Sequence, residues 1–324
     1  MLIVIPGALP APSVAAELAR RLPQQAPTLH AWLQAGAGRA EPFDVREQGC
    51  TPYEAWLLQQ AGYASQEGLP WGAGLGPLLA AGAAAPGGAD PGTASAAEPV
   101  WLGELVHLAL GTDQAMLLDP SDMDLRAGEA AALYETALPL FEGTGFAAQP
   151  LGPQRWRLHL PEGLRPATAS PRAVASGSLE GWWQHDAATR PWRRLLNEIQ
   201  MAWHEHPVNE ARAARGVAPV NGVWLYGGAS PWPRRAAAAA QVLAELEAPH
   251  RAGDWAAWLD ALAALDATRL KPLAGRGGIP PGRTELLLLG DDRLARLSLE
   301  PRTGLLSWLP ARKHDWNAWW SRPV

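Results

Sequence analysis

The segment from Arg190 to Gly228 constrains the fold of this chain more than any other stretch. Trp192, Leu195, Leu196, Ile199 and Trp203 recur at helical spacing, which predicts a helix over 190–204 with one apolar face. Pro191 suits the first turn, where a missing N–H costs nothing. Pro207 ends the helix because its ring cannot follow a helical turn. A short helix over 208–215 comes next and sets Arg212 and Arg215 three residues apart on one face. Gly216 is a natural left-handed cap. Residues 220–226 then read as a buried strand ending in Gly227-Gly228. Glycines at a strand's carboxyl end admit a close backbone or ligand, and open α/β sheets bind ligands at that end.

Around this segment the chain reads as α/β. Leu2–Ile5 is a continuous apolar run, as a parallel strand buried on both faces would be. It is expected to share one sheet with residues 223–226. Ser13 serves as cap for a helix over 14–22. Thr51-Pro52 opens a helix over 53–60, with Glu54 completing a capping box. Residues 72–99, rich in Ala, Gly and Pro, read as a loop. A strand is predicted at 115–118, an amphipathic helix over 129–141 and a half-buried strand over 154–160. An Ala-rich helix is predicted over 236–248, and Asp254 caps another carrying Trp258 and Leu262. Residues 285–289 and 293–299 form a hairpin around Gly290-Asp291-Asp292, followed by a strand over 305–309. The WNAWW run at 316–320 is either a docked tail or a partner surface.

Composition excludes several classes. The 324 residues carry a formal charge of −5, so nothing favours nucleic acid or anionic membranes. Cys50 is the only cysteine, which fits a reducing cytoplasm. The apolar N-terminus is too short to span a bilayer and lacks the basic start of a signal peptide. No dinucleotide fingerprint, Walker loop, nucleophile elbow or HExxH is present. His204 and His206 end a helix, where imidazoles complement the dipole. Arg212 and Arg215 could grip a phosphoryl group with their guanidinium forks or could pair with Glu205 or Glu210. Asn209 and Asn221 are turn-formers or polar site residues, and Asn221 is expected to tie its strand to the preceding loop.

The run HPVNEARAARGVAPVNGVWLYGG resembles a segment of the archaeal-type cofactor-independent phosphoglycerate mutases. The matching positions are His206, Pro207, Asn209, Arg212, Gly216, Pro219, Asn221, Trp224, Leu225 and Gly227. Over the chain as a whole the likeness is to bacterial regulatory proteins of the pathogenicity-factor E type, relatives of the mutases. The resemblance implies an alkaline-phosphatase-like α/β core with a mainly parallel sheet over 1–119 and 166–324. It also implies a small α+β insertion over 120–165. The mutases hold two divalent metals with Asp and His and use a serine nucleophile. Here Pro6-Gly7 stands where they have Asp-Gly, and Gly290-Asp291-Asp292 where they have Gly-Asp-His.

These departures imply a degenerate site with no stoichiometric metal, the residual candidates being His250, Asp254, Asp291 and Asp292. Asn209, Arg212, Arg215, Asn221, Gly227 and Gly228 are the candidates for a small phosphorylated or anionic ligand. The function implied is non-catalytic, regulatory and cytoplasmic, with a small ligand or a protein partner and without membrane or nucleic acid. One alternative is an active phosphotransferase (a 2,3-bisphosphoglycerate-independent mutase) or phosphatase using Mn or Zn. A second is a protein-interaction module.

Overall fold

A computed structural model describes residues 1–83, 98–110, 115–175, 177, 179, 181–182, 187–275, 278–301 and 314–321. Its strands are β1 (Leu2–Ile5), β2 (Ala37–Pro42), β3 (Trp101–Val106), β4 (Leu108–Leu110), β5 (Ala115–Leu117) and β6 (Ala147–Pro150). They continue with β7 (Arg155–His159), β8 (Gly222–Gly227), β9 (Ala240–Val242), β10 (Thr284–Leu289) and β11 (Arg293–Leu299). The helices are α1 (Pro12–Gln25), α2 (Pro27–Ala35), α3 (Val45–Gln48), α4 (Pro52–Gln60), α5 (Leu75–Ala83) and α6 (Ala127–Ala137). After them come α7 (Pro171–Ala175), α8 (Arg190–His204), α9 (Pro207–Ala214), α10 (Glu247–Arg251), α11 (Trp255–Leu265) and α12 (Asn317–Trp320).

The chain forms two compact units, residues 1–45 with 237–324 and residues 46–236. In the first, a five-stranded sheet runs in the order β2-β11-β10-β1-β9. β1 lies parallel between β9 and β10, while β10, β11 and β2 pair antiparallel. The sheet is therefore mixed, and its parallel character is confined to the three strands around β1. Ile3, Ile5, Leu286, Leu288 and Leu297 face a core filled by α1, α2 and α11, through Leu18, Leu22, Leu29, Trp32, Trp258 and Leu262.

The second unit holds an antiparallel sheet in the order β6-β7-β3-β8 and a two-stranded β4-β5 ribbon. α6 and α8 cover the larger sheet: Leu133, Trp192, Leu195, Ile199 and Trp203 pack with Trp156, Leu158 and Val223. Residues 120–165 supply α6, β6 and β7, and β7 pairs with β3, so this segment shares a sheet with strands outside it.

Residues 2–5 and 223–226 lie in different sheets, which corrects the expectation that they share one. β8 pairs antiparallel with β3 from Gly222 to Gly227. Its apolar character comes from the helices over it and not from a place inside a parallel sheet. The Ala-rich stretch at 236–248 is also not one helix, and only its last two residues are helical, as the start of α10. Residues 240–242 pair with β1, Leu2 opposite Ala240, so the sheet ladder overrides a helix propensity that is only a weak prior. α1 begins at Pro12 with Ala11 at its cap, so Ser13 lies inside the helix. The stretch 72–99, read as a loop, is helical at its start, with a 3₁₀ turn over 71–74 followed by α5, and residues 84–97 lie outside the described residues. The strand expected at 305–309 lies outside the described residues. No helix among the described residues is long and apolar enough to cross a membrane.

Candidate functional site

The 204–228 segment folds as a set of side-chain ties. His206 is the cap of α9: its Nδ1 accepts from the Val208 N–H at 3.2 Å. Its Nε2 lies 3.0 Å from the Thr136 hydroxyl, which itself donates to the Ala132 carbonyl. With Nδ1 accepting, Nε2 carries the proton and gives it to Thr136, so both nitrogens are engaged in structural bonds. Asn209 is buried and joins α8 to the approach of β8. Its Nδ2 donates to the carbonyls of Trp203 and Val220 at 2.8 Å each, and its Oδ1 accepts from the Val220 N–H. Asn221 makes a strand-like pair with Leu108, accepting from its N–H at 2.7 Å and donating to its carbonyl at 2.9 Å.

Arg212 is fully buried. Its Nε donates to the Ala218 carbonyl at 2.8 Å, Nη1 to Glu129 at 2.7 Å and to the Asp124 carbonyl, and Nη2 to the Met123 carbonyl. Arg215 takes the other oxygen of Glu129 at 2.6 Å. The two arginines thus share one carboxylate and clamp α9 to α6. The anion pocket expected between Arg212 and the glycines does not assemble. Arg212 bonds near the start of β8, whereas Gly227 and Gly228 stand at its end, about 20 Å of strand away at roughly 3.3 Å per residue.

The two glycines serve packing. Both have positive φ, 97° and 105°, which a side chain rarely adopts. A Cβ on Gly227 would meet the Val100 carbonyl at 2.7 Å, and one on Gly228 the Trp101 ring at 2.4 Å. The Gly228 N–H donates to the Val100 carbonyl. The start of α5 is pressed against the same point, through Gly76.

Burial pushes the Glu129 carboxyl up, but Arg215, the Arg126 N–H and Arg212 outweigh it and hold the group below its ordinary 4.5. A carboxyl with a depressed folded value contributes stability that is present above pH 4.5 and lost as pH falls through that lower value. Acid unfolding of Glu129→Gln is expected to be shallower than that of the parent across this window. Equal acid slopes for the two proteins would contradict the clamp.

In the first unit, the loop after β1 and the turn after β10 meet at the carboxyl end of the parallel strands. Trp258 Nε1 donates to the Gly7 carbonyl at 2.8 Å, and His250 Nε2 to the Leu9 carbonyl at 3.0 Å. Arg293, also fully buried, donates Nη2 to the carbonyls of Pro10 at 3.0 Å and Trp320 at 2.6 Å, and Nη1 to Asp292 at 2.5 Å. Space here is tight. A Cβ on Gly7 would lie 2.7 Å from the Leu246 carbonyl, and one on Gly290 2.8 Å from that of Leu9.

Of the residual metal candidates, His250 serves the loop, Asp292 serves Arg293, and Asp254 caps α11 through the Ala257 N–H at 3.0 Å. Asp291 is exposed, its Oδ1 3.9 Å from His250 Nδ1. A two-metal centre needs several oxygen and nitrogen donors converging on shared ions. His250 and Asp291 approach each other, but among the described residues no three His, Cys, Asp or Glu side chains are placed to hold a metal. Sequence reasoning passed over Glu129, Trp258 and Arg293, the residues that organise both places. Arg293 had a signal in its position directly after the Asp291-Asp292 turn; Glu129 and Trp258 read only as helix-face residues.

No family model matches this chain, and no curated protein matches it. Among solved structures the chain is similar to a cofactor-independent phosphoglycerate mutase from Thermoplasma acidophilum DSM 1728. The identity is 13% and the TM-score 0.36, over 98% of this chain and 94% of that one. It is also similar to the PH0037 protein from Pyrococcus horikoshii, at 11% identity and TM-score 0.43, over 98% of this chain and 91% of that one.

Proposed function

We propose that this protein is non-catalytic, a phosphoglycerate-mutase-like chain with a degenerate metal station and a regulatory role. The observation that carries the reading is the closure of the carboxyl end of β1 and β10. Open α/β sheets place ligands at that end. Here Trp258, His250 and Arg293 take the carbonyls of Gly7, Leu9 and Pro10, and the glycines of both turns abut neighbouring backbone. A substrate and two metals would have to displace this clasp. The regulatory assignment follows the likeness of the chain as a whole to the pathogenicity-factor E group.

The test is metal analysis of purified protein, together with turnover of 3-phosphoglycerate and 4-nitrophenyl phosphate after addition of Mn or Zn. The expected result is substoichiometric metal and turnover at the buffer rate. Two equivalents of metal, or turnover abolished by chelator, would replace this reading with the active phosphotransferase.

A further inference from the structure

The second unit contains a cleft beside the loop at 166–170, lined by none of the side chains that tie α9 to α6. Its outer part is a bowl of about 630 Å³ bordered by Arg46, Glu47, Gln48, Ser65, Gln66 and Glu67. Its inner part is a slot of about 60 Å³ walled by Trp182, Trp192, Leu196, Val223 and Trp224. Ala167, Thr168 and Trp182 border both, so the slot opens from the bowl. The bowl falls in the size range of small-molecule sites, which are typically apolar with a few placed polar groups.

The walls are held in position. Trp224 Nε1 donates to the Ala169 carbonyl at 2.9 Å, and Trp71, on the bowl wall, donates to the Ala55 carbonyl at 3.2 Å. With their N–H groups bonded to backbone, these indoles offer the cleft apolar ring surface. Gln66 is anchored through both amide atoms to the Ser230 backbone. Among the described residues that line the two chambers charge is balanced: Arg46 and Arg193 stand against Glu47 and Glu67. A phosphate would meet two carboxylates and a cation two guanidiniums, so neither sign is favoured.

We infer that this cleft binds a small uncharged amphiphile, a flat apolar ring joined to a hydroxyl-bearing part. The ring enters the tryptophan slot. The hydroxyls exchange hydrogen bonds with the polar rim, where Gln48, Ser65 and Thr168 offer both donors and acceptors. This site is independent of the closed sheet end in the first unit and stands or falls separately from the proposed function.

Titration calorimetry of the full chain with phenyl β-D-glucopyranoside tests the assignment, with phenyl phosphate as the charged counterpart. The glucoside is expected to bind at least about tenfold more tightly than the phosphate. Trp182→Ala should weaken glucoside binding about tenfold. Glu67→Lys, a change at an exposed rim position, should shift the preference toward phenyl phosphate. Absence of glucoside binding, tighter binding of the phosphate, or affinities unchanged in both variants would overturn the inference.

Discussion

Replacing Arg212 with alanine is expected to lower the stability of the chain by about 3–5 kcal/mol, the range for breaking a buried ion pair by removing one partner. The side chain has no exposed surface and serves four acceptors at once. Its removal leaves the carbonyls of Met123, Asp124 and Ala218 without that donor. Glu129 keeps Arg215, which limits the electrostatic part of the loss. Unpaired carbonyls and the cavity supply the rest. Arg212→Lys should recover little, because an ammonium is a point charge without the planar fork. Urea denaturation near pH 7 measures both variants. A loss below about 1 kcal/mol, the scale of a surface ion pair, would mean the guanidinium is not a structural tie. Phosphate added to the parent should leave its melting temperature unchanged, because the carboxylate and three carbonyls already occupy the fork.

Local features of this fold were legible in the sequence wherever a single turn of chain decides the outcome. The capping box of Thr51 and Glu54 forms with both bonds in place. Asp254 caps α11, and α8 spans Arg190–His204 with its five apolar residues buried. Each follows from residues a few positions apart. Sheet membership did not follow. A buried run such as 223–226 looks the same inside a parallel sheet as at the edge of an antiparallel one covered by helices. β2 has no hydrophobic signal in AGRAEP and is held by its ladder to β11. The Ala-rich stretch had helix propensity but found a partner in β1.

The site residues divide along the same line. Asn221 was expected to tie its strand to the chain before it. It does tie the strand, but to Leu108, more than a hundred residues away in sequence. The choice between a phosphate grip and an ion pair for Arg212 turned on Glu129, and the expected carboxylates were Glu205 and Glu210. No spacing rule connects α6 to α9. The contact exists because α6 packs on the sheet through Leu133, while Asn209 ties α9 to the end of α8 and the approach of β8.

The C-terminal tryptophans give the second large effect. Trp320→Ala is expected to cost about 3–5 kcal/mol, the usual range for deleting a fully buried Trp side chain. Trp320 has no exposed surface, and its ring meets Trp316 edge-on at 5.8 Å between centroids. Trp316 in turn stands edge-on to His30 at 5.7 Å, and the His314 N–H donates to the Gln34 carbonyl at 2.9 Å. Trp319 lies over Gly38, where a Cβ would sit 2.7 Å from its ring. The tail is thus part of the first unit's core, and the Trp320 carbonyl is one of the acceptors that keep Arg293 in the clasp. Trp319→Ala, at a half-buried position, should cost less than Trp320→Ala. Deleting the residues after His314 should cost more than either single change, because it removes two buried indoles and one acceptor of a buried guanidinium. If these tryptophans instead formed a partner surface, the same changes would alter association and leave the melting temperature in place. Thermal denaturation and sedimentation of the three variants separate the accounts. A Trp320→Ala protein that melts with its parent would remove the tail from the core.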